Sequence, residues 1–370
     1  MRILAWMHAY YPNIGGVQIA GRNLMTALHE RGYEVAVVAS QIGAVMPDKV
    51  TMDGVPIHRF DFQNALLNRD IPQIVREGQR VTKFIQDFAP DIVHIMGHCV
   101  SSIFFFKARQ HYPVPYVFTS HTEDAAKLHK EQEATLLRQL LTGANWVTTV
   151  TELETRRLAA VMPEIADKIS CVYQGMAMPN TPPTAPPTSP RLLCIGRVEK
   201  EKNFALALRA FAQVLPAFPD ARLVFAGNGS QLPQLQELSH ELGIASQVDF
   251  LGWVQPEQVS QLINEASAVV LSSSQEGLPL VGIEAAQMAR PLLAPKISGI
   301  PELVSHGETG LLMPPNDVAA LSGAMQQILR DPIYAKQMGA AAQARVNEKF
   351  SQAGMADNFG AIYERVVVPA

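Results

Sequence analysis

The stretch Glu276-Gly-Leu-Pro-Leu-Val-Gly-Ile-Glu284 joins a short apolar run to a helical pattern. The run before it, Ala268–Ser272, is predicted to be a buried strand. Pro279 favours the first helical position, because proline lacks the N–H that would be unsatisfied there. A strand that leads through a loop into a helix is the repeating unit of a doubly wound α/β sheet. The stretch therefore predicts an α/β fold, with Glu276 in a loop and Glu284 on a helix.

The same stretch has the features of a phosphate site. The backbone amides around Leu278–Val281 lie at a predicted helix N-terminus, which favours anions. The carboxylates of Glu276 and Glu284 flank that site, and this suits a ligand with hydroxyl groups on both sides of a phosphate. A nucleotide-diphospho-sugar is such a ligand, so the pattern predicts this class of co-substrate.

Apolar runs alternate with helical patterns through the whole chain, as expected for parallel strands covered on both faces. The runs predict strands at Arg2–Met7, Glu34–Ala39, Asp91–Met96, Tyr116–Thr119, Trp146–Val150, Ile169–Tyr173, Arg191–Ile195, Arg222–Ala226, Val248–Leu251, Ala268–Ser272, Pro291–Ala294 and Gly310–Met313. Helices are predicted between them, for example at Phe204–Leu215, Gln231–Leu242 and Glu257–Ala266.

A proline-rich segment, Pro179–Pro190, divides the pattern in two and reads as an extended linker. We therefore predict two doubly wound α/β domains, 1–180 and 181–350. The tail 351–370 is a helical pattern, expected to cross back to the first domain.

Composition excludes several classes of protein. The chain has 370 residues, 48% hydrophobic and 17% charged, and a net charge of −4. Neither half is basic enough to argue for nucleic acid. No apolar run approaches the roughly 18 residues of a membrane helix, and Ile3–Met7 is too short for a signal peptide. Three cysteines without a CxxC spacing favour a reduced, cytoplasmic protein, with peripheral contact at the inner face of the membrane left open.

A basic loop, Gly196-Arg197-Val-Glu-Lys-Glu-Lys202, follows the predicted strand Arg191–Ile195. It lies at the carboxyl end of a sheet, where open α/β sheets bind ligands. Arg197 and Lys202 could neutralise a diphosphate. Glu199 and Glu201 interleave with them, so a solvated charged loop is the alternative.

These elements together resemble the retaining glycosyltransferases of family 4, which have the GT-B architecture. The resemblance implies two Rossmann-like domains that face each other across a cleft. The resemblance extends over nearly the whole chain. It rests on Tyr11-Pro-Asn-Ile-Gly-Gly-Val-Gln18, Arg31-Gly-Tyr-Glu-Val35, Gly196-Arg197 with Lys202-Asn203, Gly227-Asn-Gly229, Phe250-Leu-Gly-Trp-Val254, Ser272-Ser-Ser-Gln-Glu276 through Glu284-Ala-Ala286, Gly299-Ile-Pro-Glu302 and Gly307-Glu-Thr-Gly310.

The resemblance implies a role for each matching residue. Arg197 and Lys202 would hold the donor diphosphate, Glu276 would contact the transferred sugar, and Glu284 the ribose hydroxyls. The other implied donor-binding residues are Gly15, Gly16, Val254, Gly277, Leu278, Pro279 and Leu280. Gln18 is implied in acceptor binding, since Gly-Gly-Val-Gln is similar to the run in some mannosyltransferases that act on inositol lipids. One departure is Ala289-Arg290, where a Cys/Ser-Gly pair is usual.

His121 follows the predicted strand Tyr116–Thr119, at a point where the family often has a histidine near the reacting sugar. The resemblance implies that it positions the sugar by a hydrogen bond, or transfers a proton; a structural histidine is the alternative. His94 and His98 have i, i+4 spacing, but they lie on or near a strand, so they do not predict a metal site. With Arg197 and Lys202 on the phosphates, no metal or other cofactor is expected.

Two further patterns in the sequence do not predict a ligand. Gly227-Asn-Gly229 lacks the third glycine of a dinucleotide fingerprint, so NAD is not predicted. Arg76, Arg80 and Lys83 repeat at helical spacing, which is typical of membrane-docking helices and also of a plain solvated face.

The predicted reaction is transfer of a hexose from a UDP- or GDP-hexose to an acceptor hydroxyl with retention of configuration, in polysaccharide or glycolipid synthesis. The acceptor would be a sugar, a polyol or a lipid-linked molecule. A nucleotide-sugar 2-epimerase of the same fold and a catalytically silent binding subunit are the alternatives.

Overall fold

A computed structural model describes residues 1–43, 46–121, 124–128 and 131–367. The chain forms two compact units. Unit 1 consists of Met1–Gly175 with Gln352–Ala370, and unit 2 of Met176–Ser351. The boundary lies five residues before the predicted one, ahead of the proline-rich segment. Residues 368–370 of the predicted tail lie outside the described residues.

Unit 1 is built on an eight-stranded sheet. Its strands are β1 (Arg2–Met7), β2 (Glu34–Ser40), β3 (Lys49–Met52), β4 (Val55–Phe60), β5 (Ile92–Met96), β6 (Tyr116–Ser120), β7 (Trp146–Thr149) and β8 (Ile169–Cys171). Their spatial order is β3-β4-β2-β1-β5-β6-β7-β8. All pairs are parallel except β3 with β4. Strand order reverses between β1 and β5, which makes that junction the switch point of the unit.

The helices of unit 1 cover both faces of this sheet. They are α1 (Gly16–Glu30), α2 (Phe62–Leu67), α3 (Ile71–Phe88), α4 (Ser102–Arg109), α5 (Asp124–Lys127), α6 (Glu131–Gly143), α7 (Glu152–Val161) and α15 (Gln352–Val367). Alternate residues of β1 enter opposite layers: Leu4 and Trp6 pack in one apolar core, Ile3 and Ala5 in the other. This double burial explains why the strand sequence is apolar throughout.

Unit 2 has six parallel strands: β9 (Arg191–Ile195), β10 (Arg222–Ala226), β11 (Val248–Gly252), β12 (Ala268–Val270), β13 (Leu292–Pro295) and β14 (Gly310–Met313). Their order is β11-β10-β9-β12-β13-β14. Its helices are α8 (Phe204–Ala212), α9 (Leu232–Glu241), α10 (Pro256–Asn264), α11 (Leu280–Gln287), α12 (Ile300–Leu303), α13 (Val318–Arg330) and α14 (Pro332–Lys349). The two sheets confirm the predicted doubly wound α/β class.

All twelve predicted strands are present, with ends displaced by no more than two residues, but the hairpin of β3 and β4 was missed. Asp53 and Gly54 connect these strands with φ angles of 50° and 78°. Two left-handed residues of the type Asp-Gly are the signature of a tight hairpin turn, so the sequence did contain the signal. Lys49–Met52 is short and half exposed, which is why its apolar pattern was weak.

The proline-rich segment is pinned to unit 2 rather than free. Arg290 is 1% exposed, and its guanidinium donates to the carbonyl oxygens of Ala266, Asn264 and Thr184 at 2.7, 2.7 and 3.1 Å. Asn264 also donates to the carbonyl oxygen of Pro182. Arg290 therefore fastens the first part of this segment to the end of α10.

The turn after α11 corrects the predicted position of a glycine. Ala289, not Arg290, has the left-handed conformation, with φ of 51°. The amide of Arg290 donates to Ala285 O and that of Ala289 to Ala286 O, the pattern of a Schellman helix end. The glycine-favouring position is thus one residue earlier than the resemblance suggested.

The exterior of unit 1 contains the basic row on α3. Arg80 pairs with Glu77 and Asp48, and Lys83 pairs with Asp87. This pairing favours the interpretation of α3 as a solvated face. No helix in the described ranges is long and apolar enough to cross a membrane.

Candidate active site

The candidate site of unit 2 lies at the carboxyl ends of β9 and β12. These strands are parallel neighbours, yet β10 and β11 intervene in sequence and lie on the other side of β9. Strand order therefore reverses between β9 and β12, and ligands of open α/β sheets bind at this switch point. The topology brings together the basic loop after β9 and the acidic stretch after β12.

Two glycines let the loop after β9 approach the loop after β10. Gly196 has φ of 144° and Gly227 has φ of 151°, a region that favours glycine. A Cβ atom on Gly227 would collide with the carbonyl oxygen of Gly196, and one on Gly229 with that of Val198. The Gly227-Asn-Gly229 motif thus serves loop packing, which is consistent with its failure as a dinucleotide fingerprint.

Lys202 and Glu276 form an ion pair at the centre of this site. Lys202 ends a 3-10 turn, Lys200–Lys202, and its Nζ donates to Glu276 Oε1 at 2.6 Å. Their side chains are 18% and 9% exposed. Ser273 Oγ donates to the same carboxylate oxygen at 2.7 Å. Ser273 is 2% exposed, and sequence reasoning gave it no role, although it lies three residues before Glu276.

Two hydrogen bonds to backbone carbonyl oxygens hold the two loops in register. Ser272 Oγ donates to Lys202 O at 2.9 Å, and Ser274 N donates to Glu201 O at 2.8 Å. These bonds fix the backbone of Lys202 and of the residue before it, and so fix the point from which the Lys202 side chain extends.

Arg197 lies on the exposed side of the same loop. Its guanidinium donates to Glu201 Oε1 at 2.9 Å, and its side chain is 63% exposed. Glu199 accepts from Ser230 N and Ser230 Oγ. The interleaved acids thus have partners of their own, and Arg197 does not contact the Lys202–Glu276 pair.

The helix of the acidic stretch begins one residue later than predicted. Pro279 is the N-cap, with φ of −72° and ψ of 112°, and α11 begins at Leu280. Gly282 N already donates to Pro279 O. The N–H groups of Leu280 and Val281 have no acceptor within the described residues, so they are available to an anion at this helix start.

The remaining residues of unit 2 that were predicted to bind the donor lie on the same carboxyl edge. Gly277 O accepts from Gly299 N at 3.2 Å, and Leu278 is 6% exposed. Val254 lies two residues beyond the end of β11, which is the outer strand next to β10. The structure therefore places Val254 at the carboxyl edge, toward one side of the sheet, and its role in donor binding stays a prediction.

Glu284 lies inside the first two turns of α11. Its carboxyl has no hydrogen-bond partner in the part of the chain that the structure describes, and desolvation raises its pKa from 4.5 to about 7. A carboxylate that lacks a protein partner and is poorly solvated gains from a ligand that donates hydrogen bonds.

The predicted residues of unit 1 lie around its own switch point. Gly15 is the N-cap of α1, with φ of −167°, and Gly16 begins the helix. A Cβ atom on Gly16 would meet no atom within 4 Å, so the protein's own packing does not require this glycine. The amide of Gln18 folds toward Gly15, next to the free N–H groups of the helix start.

His121 directly follows β6 and is 7% exposed. Its Nδ1 lies 2.8 Å from Gln174 Nε2, and its Nε2 has no partner among the described residues. Burial lowers its pKa to about 4, against a smaller opposing effect of Asp124, so the ring is neutral at pH 7. Sequence reasoning missed Gln174; its signal was a polar residue just past the carboxyl end of β8.

His94 is a structural histidine. Its Nδ1 bonds to Tyr363 OH at 2.7 Å and its Nε2 to Thr119 Oγ1 at 2.6 Å. Across the described ranges, no group of three His, Cys, Asp or Glu side chains is arranged to hold a metal. The expectation of a reaction without metal or cofactor stays a prediction.

Comparisons with known proteins identify the family. Residues 181–345 match Glycosyl transferases group 1, and residues 14–177 match Glycosyltransferase Family 4. The chain belongs to glycosyltransferase family 4.

Curated relatives agree with this assignment. The glycosyltransferase is 29% identical to the glycogen synthase of Mycobacterium tuberculosis, covering 98% of this chain and 94% of that protein. It is 24% identical to the N-acetyl-alpha-D-glucosaminyl L-malate synthase of Bacillus anthracis, covering 96% of each chain. Neither alternative function is favoured by these matches.

Solved structures show that the glycosyltransferase has the GT-B fold. Sucrose-phosphate synthase from Thermosynechococcus elongatus superposes with a TM-score of 0.85 at 22% identity, covering 99% of both chains. The Anabaena protein HepE in complex with UDP-glucose gives 0.81 at 20% identity, covering 98% of this chain and 99% of that one.

Proposed function

We propose that this glycosyltransferase transfers a hexose from a nucleotide-diphospho-sugar to an acceptor hydroxyl with retention of the anomeric configuration. The observation that carries the proposal is the 2.6 Å pair of Lys202 and Glu276 at the switch point of unit 2. A cation for phosphate, a carboxylate for hydroxyl groups and a free helix start lie on one sheet edge there.

The donor would be bound by complementary charges along this edge. Lys202 has three N–H donors, so it can keep its bond to Glu276 and also reach a phosphate oxygen. The amides of Leu280 and Val281 would bind the same diphosphate. Arg197 is exposed and forms a surface ion pair with Glu201, so its guanidinium can move to the phosphates at little cost.

The two carboxylates would bind the two sugars of the donor. Glu276 would accept from hydroxyls of the hexose and Glu284 from those of the ribose. The donor is proposed to be a UDP- or GDP-hexose. HepE binds UDP-glucose on the same fold, which supports the uridine nucleotide. The acceptor is proposed to be a hydroxyl of a sugar, a polyol or a lipid-linked molecule.

In the proposed reaction, the bond between the anomeric carbon and the diphosphate oxygen breaks. The acceptor oxygen forms its bond on the same face, and its proton passes to the departing phosphate. The products are a glycoside and a nucleoside diphosphate. Lys202, Arg197 and the helix start stabilise the negative charge of the leaving group, which is the main contribution that fixed cations and dipoles make to such a step. Unit 1 would contribute Gly15, Gly16, Gln18 and His121 to binding of the sugar and acceptor.

A thermal-shift screen without added metal tests donor binding. UDP-glucose, GDP-mannose and ADP-glucose are the probes, because a ligand at 100 times its Kd adds about 2.7 kcal/mol of stability. We expect a shift with one of them in the wild type and in Glu237→Gln, an exposed control on α9. The shift should fall in Glu284→Gln. No shift with any probe would overturn the proposed donor class.

Proton NMR of the first product formed tests retention. With a donor of α configuration, the glycoside that forms should also have the α configuration. An initial β product would establish inversion. A transferase should release nucleoside diphosphate only when an acceptor is present. A 2-epimerase needs no acceptor, so this dependence separates the two activities.

A further inference from the structure

The ring of His121 is hydrogen-bonded on one side only. Its Nδ1 lies 2.8 Å from the Nε2 atom of Gln174, and its buried Nε2 has no partner among the described residues. A buried polar atom without a partner costs roughly 1–3 kcal/mol. Such an atom in a binding region indicates that a ligand supplies the missing partner.

Gln174 determines which ring nitrogen holds the proton. The amide NH₂ group that faces the ring can only donate, so Nδ1 must accept and the proton of the neutral ring must be on Nε2. Gln174 is 6% exposed and lies just past the carboxyl end of β8. Its burial limits the alternative orientations of the side chain.

The second buried histidine of this sheet shows that the open nitrogen is not a general property of the unit. His94 has both ring nitrogens bonded, to Tyr363 and Thr119. It is fully buried, and only His121 of the two presents a free N–H.

The open edge of His121 borders the switch point of unit 1. Gly97 follows β5 with φ of 85°. A Cβ atom there would lie 3.9 Å from His121 Cδ2, the ring carbon next to Nε2, and 4.0 Å from Val17 Cγ1. Val17 belongs to the first turn of α1. The free N–H of His121 is therefore close to the helix start that begins at Gly15 and Gly16.

We propose that Gln174 is a positioning residue that holds His121 as the Nε2–H tautomer, so that Nε2 donates to a hydroxyl oxygen of the transferred hexose. This assignment of the ligand rests on the proposed function. The tautomer itself is a property of the free protein. It makes His121 a neutral hydrogen-bond donor rather than a base, because the lone pair of the ring is held by Gln174.

Replacement by glutamate reverses the polarity of the contact. In Gln174→Glu the carboxylate accepts, so Nδ1 of His121 must carry a proton, and a ring that stays neutral then has no proton on Nε2. Gln174→Met keeps the length of the side chain and removes the donor. Gln86→Glu, on the exposed side of α3, is the matched control for the change of charge.

The readout is a long-range ¹H–¹⁵N spectrum of the ligand-free protein with labelled histidine, in which His121→Asn identifies the resonances. We expect a proton on Nε2 in the wild type and in Gln86→Glu, and a proton on Nδ1 in Gln174→Glu. A wild-type ring protonated on Nδ1 would overturn the assignment of the tautomer.

Kinetics test what the tautomer does. We expect kcat/KM to fall about 30-fold in Gln174→Glu and less in Gln174→Met, where Nε2–H can persist. In the background His121→Asn, Gln174→Glu should cost no more than twofold, because its effect acts through the ring. Equal losses in both backgrounds would show that Gln174 has only a structural role. If the wild type transfers no hexose from any nucleotide-sugar, the ligand assignment is overturned with the proposed function, whereas the spectrum still decides the tautomer.

Discussion

Lys202 Nζ lies 2.6 Å from Glu276 Oε1, although 74 positions separate the two residues in the chain. The pair has little solvent around it, with side chains 18% and 9% exposed. Removal of one member of such a pair leaves the other charge poorly solvated, which costs more than the pair itself contributes. The Glu276 carboxylate therefore fixes the ammonium of Lys202 in the free protein, before any phosphate binds.

Lys202→Ala should lower turnover at least tenfold without unfolding the protein, because one positioned cation on a leaving phosphate supplies more than about 1.4 kcal/mol of stabilisation. Lys336→Ala, on the exposed side of α14, is the control. Turnover and circular dichroism are the measurements. Near-normal turnover in Lys202→Ala would contradict the role assigned to this residue. The double variant with Glu276→Ala should lose less than the sum of the single losses, since each side chain acts through the other.

Binding of the nucleotide-sugar should weaken as the pH falls below 7. Burial raises the pKa of Glu284 to about 7 in the free protein, and binding to ribose hydroxyls needs the carboxylate, so binding must release a proton at lower pH. Affinity at pH 6 should be about tenfold lower than at pH 8. Calorimetry in buffers of different ionisation enthalpy measures both effects. Glu284→Gln should bind weakly at every pH; a persistent tenfold dependence in this variant would assign the proton to another group.

The Glu284 pKa also predicts the direction of a stability change. The folded value lies above the unfolded value near 4.5, so the folded state binds the proton more tightly between pH 7 and 4.5. This group therefore stabilises the fold as the pH falls through that window. Urea unfolding at pH 8 and pH 5.5 measures this effect. At pH 8, where the wild-type carboxyl is charged, Glu284→Gln should have a higher urea midpoint than the wild type, and at pH 5.5 it should not.

Arg290→Lys should lower the free energy of unfolding by about 3 kcal/mol. The guanidinium makes its bonds to backbone carbonyl oxygens, and lysine has too few donors in too compact a group to replace them. No carboxylate in the described residues pairs with Arg290, so it holds the chain through hydrogen bonds alone. Urea unfolding is the measurement, and Arg330→Lys at the exposed end of α13 is the matched control. Equal stability of both variants would contradict the fastening role.

Ala289→Gly should stabilise the protein by about 1 kcal/mol, because alanine in the left-handed conformation carries a penalty that glycine does not. The same change at Ala340, exposed in the middle of α14, should destabilise by about 1 kcal/mol. Opposite shifts in melting temperature would support the left-handed turn at Ala289, and two losses would refute it.

The sequence by itself determined the fold class and pointed to much of the candidate site. Twelve strands were found because a parallel strand that is buried on both faces must be apolar along its length, as in Leu4 and Ala5 of β1. The acidic stretch and the basic loop were found because a helix start and paired charges are local patterns. The missed hairpin of β3 and β4 had polar and half-exposed residues, so only its Asp53-Gly54 turn marked it.

Tertiary structure alone decided which of these residues touch. Lys202 contacts Glu276 because β9 and β12 are neighbours at a reversal of strand order. No local sequence pattern predicts that strand order. The contacts of Gln174 with His121 and of Arg290 with Thr184 have the same origin, since each joins segments more than 50 positions apart. The local sequence limits the backbone conformations of a segment. Its partners from distant segments are decided by the order in which the strands pair within each sheet.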